Sequence, residues 1–364
     1  MTLTAPTRAP EQRTRPRRVL RVGSASVTYR LRQLVVPLAT VAVLLLAAAT
    51  SMGRGDYPIG IPQVLGALVG LGDDTQRFVV TELRAPRIAA GMLVGVALGM
   101  SGALIQTFAR NPLASPDILG VNGGAAIGAV SVIVFAGTGT TAAGVLGGLG
   151  VPLAALVGGF AVALAVFGLA WRKGVDGYRL VLIGVGLSAM ATAVVQYLLT
   201  RSSIWDAAAA NVWITGSLNG RGWDDVLPLA LALAVLVPVA LALTRVLNVL
   251  QFGDDTARGL GVRVPLAQGT VVVVAVALAA FAVSAAGPIQ FVALVVPQIA
   301  VRLTGGSRPP LVASGLLGAL LLVASDLTAR TVLTEAFPVG VVTAVVGAPY
   351  LLWLLVRGRR RSTL

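Results

Sequence analysis

No cysteine and no histidine occur among the 364 residues of this chain. Without cysteine there is neither a disulfide framework nor thiolate chemistry. Without histidine the commonest metal ligand and the commonest acid–base group are both missing. Ser–His–Asp and Cys–His catalytic sets are therefore excluded, and any metal the protein handles must arrive already chelated. Lysine occurs once, as Lys173 in Trp171-Arg-Lys-Gly174. No G-x4-G-K-[S/T] phosphate loop exists, so the chain is not itself an ATPase. Paired carboxylates occur only as Asp73/Asp74, Asp224/Asp225 and Asp254/Asp255, all in polar segments between apolar runs. No enzyme active site is visible in that inventory. Charge as a whole is scarce, at 12% of residues, about half of what a soluble domain carries.

What fills the chain instead is apolar surface: 56% hydrophobic residues and a mean hydropathy of +0.88. Apolar runs of about 20 residues recur throughout, and one such run crosses a bilayer core as a helix. The fold class expected is all-α, a polytopic transmembrane bundle of ten spans: 34–52, 88–108, 121–137, 145–171, 180–199, 226–247, 265–286, 288–303, 311–327 and 337–356. Residues 1–33 hold eight arginines against one glutamate, and Arg357, Arg359, Arg360 and Arg361 close the chain. Both ends are thus expected in the cytoplasm, which requires an even number of spans. Ten spans place 21 Lys and Arg inside against 7 outside. The net charge of +14 then reads as orientation signal, and no nucleic-acid partner is needed to explain it. Residues 1–30 are expected to form a disordered basic cytoplasmic tail, with 31–364 a single membrane domain. The Gly- and Thr-rich segment 137–150 is expected to be a short outer turn. Outer segments 53–80 and 200–225 are long enough for interfacial helices. Trp205, Trp213 and Trp223 cluster in the second, as aromatics do at a headgroup boundary.

Residues 81–124 carry the densest pattern. Arg84 and Arg87 precede the uncharged stretch 88–108, and Arg110 with the proline-broken loop Asn111-Pro-Leu-Ala-Ser-Pro116 follows it. Gly91, Gly95 and Gly99 recur every fourth residue, a small-xxx-small face that admits another helix. Gly123-Gly124-Ala-Ala-Ile-Gly128 has the look of a nucleotide-binding glycine cluster, yet it lies in an apolar span with no strand before it and suits helix packing better. The order L-R-x-P-R, G-x4-G-x6-S-G-x3-Q, N-P-L-A-x-P-x-x-L-G resembles the permease subunits of iron–siderophore and vitamin B12 ABC importers. The likeness continues through Trp213-Ile-Thr-Gly-Ser-Leu218, Gly287-Pro-Ile-Gln-Phe-Val-Ala-Leu294, Val296-Pro-Gln-Ile-Ala300, Asp326-Leu-Thr-Ala-Arg330, Pro338-Val-Gly340 and Gly347-Ala-Pro349. Three positions depart from the family pattern. Gln298 stands where many members have histidine, Val301 takes an arginine position with Arg302 one place later, and Glu335 lies one residue too far from Pro338. The glutamine form resembles the catecholate-siderophore (enterobactin-type) branch.

The resemblance implies a transporter subunit, not an enzyme, in the bacterial inner membrane. Its implied partners are ATP-binding subunits that hold ATP and magnesium, an extracellular substrate-binding lipoprotein, and a second permease copy or a sister permease. The implied substrate is a ferric siderophore, with haem and cobalamin as alternatives. No cofactor and no metal belong to the chain itself. Residues 252–262 match the family's coupling segment, which would assign Gly253, Asp254, Asp255, Ala257, Arg258, Leu260 and Gly261 to docking on the ATPase. By pattern alone the same stretch is a connecting loop or a short surface helix, with Asp254 or Asp255 as N-cap and Gly259 or Gly261 as terminator. Asn111, Pro112 and Leu113 match the cytoplasmic gate. Arg84, Arg87 and Arg330 match the contacts to acidic residues of the binding protein, for which a bidentate guanidinium is suited; the alternative is headgroup anchoring. An ion-coupled secondary transporter remains the rival class. It needs an ionisable group near the midplane; Asp326, the nearest candidate, sits at a span's end and suits pairing with Arg330. Ser101, Gln106, Ser188, Gln196 and Ser284 could line a wet path or bond neighbouring helices.

Overall fold

The architecture was read from a computed structural model, which describes residues 18–22, 25–29, 31–55, 57–136, 150–171, 177–331 and 337–359. The expected outer turn at 137–150 and the displaced Glu335 lie outside the described residues, apart from Gly150. Among the described residues the fold is helical, with one small exception near the N-terminus. Arg18–Val22 (β1) and Ala25–Tyr29 (β2) pair antiparallel, Val22 opposite Ala25. No element was expected there. The β-branched and aromatic residues Val19, Val22, Val27, Thr28 and Tyr29 on either side of the dipeptide Gly23-Ser24 are the hairpin signal in the sequence that charge counting passed over.

The helices are α1 (Leu31–Gly53), α2 (Ile61–Leu68), α3 (Asp74–Phe78), α4 (Ala85–Phe108), α5 (Val121–Ala136), α6 (Gly150–Ala170), α7 (Gly177–Thr200) and α8 (Ile204–Thr215). They continue with α9 (Trp223–Ala242), α10 (Thr244–Leu250), α11 (Asp254–Gly259), α12 (Val264–Ala286), α13 (Val292–Thr304), α14 (Leu311–Thr331) and α15 (Val339–Arg359). Among the described residues seven helices are long and apolar enough to cross a membrane, and three shorter apolar helices, Val121–Phe135, Val292–Thr304 and Val339–Leu354, fall on the other runs read from the sequence. The short helices α2, α3 and α8 occupy the two segments, 53–80 and 200–225, expected to hold interfacial helices. A π-turn, Val79–Arg84, joins α3 to α4, so the second span is the end of one continuous helical rod from Asp74.

The core forms around α4 and α12, which are buried on nearly every side. A helix apolar all round belongs in the middle of a bundle. In lipid, however, apolar character alone does not drive helices together; close backbone packing does. The glycine face of α4 supplies that packing. A methyl group on Gly95 or Gly99 would collide with the carbonyl oxygens of Gly318 and Ser314 on α14. Gly102 meets the Ala293 carbonyl of α13 in the same way. Gly124 and Gly128 of α5 lie against the Gly158 and Ala154 carbonyls of α6, so the glycine cluster at 123–128 is a helix contact.

The eighth span is not one helix. Residues 287–291 are non-helical, and α13 has 13 residues, a rise of only about 20 Å. Non-helical backbone survives at such depth when protein covers it. Gly287, Pro288 and Ile289 are all buried, and Ala286 O accepts from Ser217 N at 2.8 Å. Gly287 takes φ 75 and touches the Trp213 carbonyl, a position where any side chain would clash.

Candidate functional site

At one end of the bundle, the one expected to lie outside, the three sequence-predicted arginines gather around the ends of α1, α4 and α14. Arg87 makes a bidentate clasp on Asp326, with Nη2–Oδ1 at 2.7 Å and Nε 3.1 Å from both carboxylate oxygens. Arg330 donates to the other side of the same carboxylate, Nε–Oδ2 3.1 Å, and to Ser51 Oγ at 2.5 Å. Asp326 is 3% exposed. Arg84 donates to Met52 O at 2.6 Å and to Tyr57 O at 2.7 Å. The expected Asp326–Arg330 pair is therefore present, joined by Arg87, a residue 239 positions from Asp326 in the chain. One carboxylate between two guanidiniums leaves Arg87, Arg330 and Asp326 together with a net positive charge.

The other end of the bundle holds the residues matched to the gate and to the coupling segment. After α4 the chain turns sharply at Arg110, whose φ is 50. Asn111 Oδ1 accepts from Leu113 N at 2.9 Å, an Asx turn across Pro112, and Ala114 N returns to Asn111 O at 3.2 Å. Asn111 and Pro112 are exposed while Leu113 is half-buried. The loop then enters a 3-10 turn, Pro116–Leu119. Here Asp117 accepts from Asn122 Nδ2 at 2.7 Å and from Ser115 Oγ at 3.4 Å. Burial pushes the Asp117 carboxyl up to about 6, against the pull of those two donors.

The coupling match is a helix, not a plain loop. Its N-cap is Gly253, φ 103, which corrects the expectation of an aspartate cap. Asp254 has other partners: it accepts from Arg110 Nη2 at 3.4 Å and from Gln268 Nε2 at 3.2 Å. The C-terminus closes as expected at Gly261, φ 83, with Gly261 N to Arg258 O at 2.9 Å and Val262 N to Ala257 O at 3.0 Å. Those two bonds are a Schellman closure, which requires a left-handed residue at that point. Ala257 anchors α11 inward among Leu250 and Val264. Phe252 and Leu260 stand exposed on either side, and Asp255 pairs only with its neighbour Arg258 at 2.9 Å.

Arg110 is the residue that sequence reading undervalued. Besides touching Asp254, its Nη2 donates to Leu250 O at 2.6 Å, so one side chain ties the start of the 111–113 loop to both α10 and α11. A second link runs through the glutamine at the family's histidine position. Gln298 Nε2 donates to Gln106 Oε1 at 2.6 Å, and Gln106 Nε2 donates to Leu294 O at 2.9 Å. The amide pair pins α13 to the last turn of α4, immediately before the gate. Arg302, displaced by one residue from the family pattern, stacks over Trp353 at 4.5 Å and Tyr350 at 5.3 Å.

The polar span residues divide into two groups. Ser101, Gln106 and Ser284 bond the Ala275, Leu294 and Pro152 carbonyls of neighbouring helices. Ser188, Thr192 and Gln196 lie four apart along α7, with Thr192 and Gln196 exposed, a polar stripe on an otherwise apolar outer face. The tryptophans divide as well. Trp205 and Trp223 are exposed, with Trp223 Nε1 donating to Thr81 O at 3.1 Å. Trp213 is buried beside Ala210 and Val283, which corrects the expectation of a single headgroup cluster.

Comparison with known proteins follows the same course. The FecCD transport family matches residues 42–357. The ferric enterobactin transport system permease protein FepG of Escherichia coli (strain K12) is 40% identical over 91% of this chain and 98% of its own length. The cobalamin import system permease protein BtuC of Halobacterium salinarum is 39% identical, covering 78% of this chain and 74% of its own. Among solved structures, a metal-chelate type ABC transporter in an inward-facing conformation superposes with a TM-score of 0.77 at 28% identity. That alignment covers 89% of this chain and 99% of the other.

Proposed function

Because this chain belongs to the FecCD transport family, we propose that it is the membrane-spanning permease subunit of an ATP-driven importer for ferric siderophores. It takes substrate from a binding protein on the outer side and passes it along a seam between two permease copies, homologous or identical. A separate ATPase, holding ATP and magnesium, supplies the energy. Both termini lie in the cytoplasm, so the end bearing α11 faces the ATPase. The observation that carries this reading is the Arg110 clasp, which ties the loop at the mouth of α4 to the exposed docking helix. A push on α11 is transmitted to Asn111–Leu113 without passing through the packed core. Phe252 and Leu260, apolar and exposed beyond the spans, are the anchors such a partner needs. The stripe Ser188, Thr192, Gln196 on α7 supports a wet seam: polar groups facing lipid would be costly, whereas facing a second copy they line the path.

The outer arginines keep their role as a docking surface in this reading, with the roles divided. Arg87 and Arg330 hold Asp326, and Arg84 donates to the Met52 and Tyr57 carbonyls, so three guanidiniums are brought to one end of the bundle. Capture of the acidic binding protein should weaken as salt is added, as it does for charge pairs at the rim of an interface. Capture that ignores salt would return the arginines to headgroup anchoring.

The reading as a whole is tested in proteoliposomes. With its ATPase and binding protein, the chain should accumulate a ferric siderophore only when ATP is present inside the cytoplasmic-side compartment. A single cysteine at Leu113 should react with a thiol reagent at different rates in nucleotide-free and ATP-bound complexes. Accumulation driven by a proton gradient without ATPase would overturn the reading. A cobalamin permease is the second reading, favoured by the 39% identity to the haloarchaeal permease; competition between the two substrates in the same vesicles decides between them. An ion-coupled carrier is disfavoured because Asp326 is already engaged by two arginines.

A further inference from the structure

A groove of about 840 Å3 opens at the same end of the bundle as α11, between α10 and the α13–α14 connection. It borders the proposed docking surface, with which it shares Phe252, and does not include Asn111, Pro112, Leu113 or the arginines at the far end. Its polar wall carries Thr244, Asn248, Gln251, Ser307 and Arg308, and no carboxylate lines it among the described residues. Two polar atoms there are buried without a hydrogen-bond partner among those residues, Arg308 Nη1 and Asn248 Oδ1. Burial also pushes the Arg308 guanidinium down from its ordinary value, with no counter-charge opposing the shift. A buried donor on a cation and a buried acceptor, both unmet, are costly unless something fills them.

The opposite lip of the groove is apolar. Leu241, Leu311 and Val312 form it, and Leu241 and Val312 are exposed on the long apolar helices α9 and α14. A cation set one step above an apolar, lipid-facing lip has the build of a headgroup pocket. Free phosphate would satisfy the arginine and leave the lip unused. We propose that this groove binds a phosphate group carried by a phospholipid of the leaflet at the gate end, with Arg308 on the phosphate and Asn248 accepting from a donor on the headgroup. The bound lipid bridges α10 to the α13–α14 loop. Since α10 runs straight into Phe252 and α11, it braces the docking helix from behind. The proposal takes from the functional reading only the membrane orientation of the bundle, and its test does not involve transport.

The full chain, delipidated in detergent, is presented with three probes: phosphatidylglycerol, a galactosyl diacylglycerol with the same acyl chains but no phosphate, and inorganic phosphate alone. Native mass spectrometry reads retention and a thermal melt reads stabilisation. Phosphatidylglycerol should be retained and raise the melting midpoint, whereas the galactolipid and inorganic phosphate should not. Arg308→Gln should reduce retention about tenfold, the loss of one charge-assisted bond. Arg245→Gln, an exposed arginine on the same α10 but outside the groove, should leave retention unchanged. Asn248→Asp places an internal anion beside Arg308, so it should abolish retention while the chain keeps or gains stability, which covers the case in which Arg308→Gln misfolds. Equal retention of the galactolipid, or retention by Asn248→Asp, would overturn the proposal. Inorganic phosphate alone reproducing the full shift would overturn the lipid source. A shift appearing only when the ATPase subunit is added would assign the groove to a protein contact and also overturn it.

Discussion

Two clusters of arginine and aspartate mark the two ends of this bundle, and they differ in what surrounds them. At the outer end, Arg87 and Asp326 pair at 2.7 Å with side-chain exposures of 18% and 5%. At the gate end, Arg110 and Asp254 pair at 3.4 Å with exposures of 52% and 41%. The first pair is desolvated, bidentate and shared with Arg330, so removing one partner strands a buried charge. The second is wet and long, and breaking it leaves groups that water can serve. Similar residue types thus make a structural rivet at one end and a releasable clasp at the other. In the proposed orientation that division would keep the outer rim assembled while the loop 111–113 is free to change position.

The comparison is broken most severely at Asp326. Asp326→Ala leaves Arg87 and Arg330 facing each other in a site that admits little water. The expected loss is about 3–5 kcal/mol, seen as a collapsed thermal midpoint and aggregation on size exclusion. Arg87→Glu should do similar harm by setting two carboxylates together, which is why charge reversal there says nothing about docking. If either variant melted like the parent, the outer cluster would not be a rivet.

Next comes the packing on which that cluster rests. Gly99→Val drives a branched side chain into the Ser314 carbonyl of α14. It should cost about 1–3 kcal/mol by overpacking, measured by the same melt. Gly269→Ala, where a methyl meets open space, is the matched control and should be close to neutral.

A smaller effect is expected at Asp117, and it depends on pH. Its carboxyl lies near 6 in the folded chain against an ordinary 3.8, so the folded state holds the proton more tightly than the unfolded one. Stability therefore falls as pH rises from about 4 to about 6, and the full cost is present above that window. Asp117→Asn should remove that slope and stabilise the chain near neutral pH by about 1–2 kcal/mol, after allowance for partial solvent access. Melting midpoints from pH 4 to 7 check both the sign and the window.

The smallest stability effect belongs to the clasp. Arg110→Ala should change stability by under about 1 kcal/mol, as an exposed ion pair does. Uptake per ATP hydrolysed should nevertheless fall, because α11 then moves without carrying the gate loop. Equal coupling ratios in parent and variant proteoliposomes would show that Arg110 only decorates the surface, and the contrast between the two ends would lose its meaning.

Much of the architecture was legible in the sequence because membranes leave few options. A backbone without water must hydrogen-bond to itself, so each long apolar run becomes a helix, and the ten runs read from hydropathy recur as seven long and three short helices. The four-residue spacing of Gly91, Gly95 and Gly99 announced a helix contact for the same reason: on a helix those positions share one face. The helix at 254–259 was visible as an option, yet its aspartate cap was misassigned to a glycine's place. Local pattern could not reveal that Asp254 was engaged by Arg110 from 144 positions away. The hairpin Arg18–Tyr29 was missed because charge dominated the reading of that segment, and Trp213 was placed at a headgroup boundary because composition does not say which side of α8 faces inward.

By itself, then, the sequence determined the class, the number of apolar runs, the charge asymmetry that orients them and the faces able to pack closely. These depend on composition and on periodicities of a few residues. Only the tertiary structure decided which α4 glycine meets which α14 carbonyl, that Arg87 and Arg330 share Asp326 while Arg84 reaches the Met52 and Tyr57 carbonyls, that Arg110 bridges the 111–113 loop to α10 and α11, and that Arg308 lines a groove without a carboxylate among the described residues. Each of those depends on register and depth between segments far apart in the chain. Register is set by the summed fit of whole helix faces, a quantity that no single residue or motif carries.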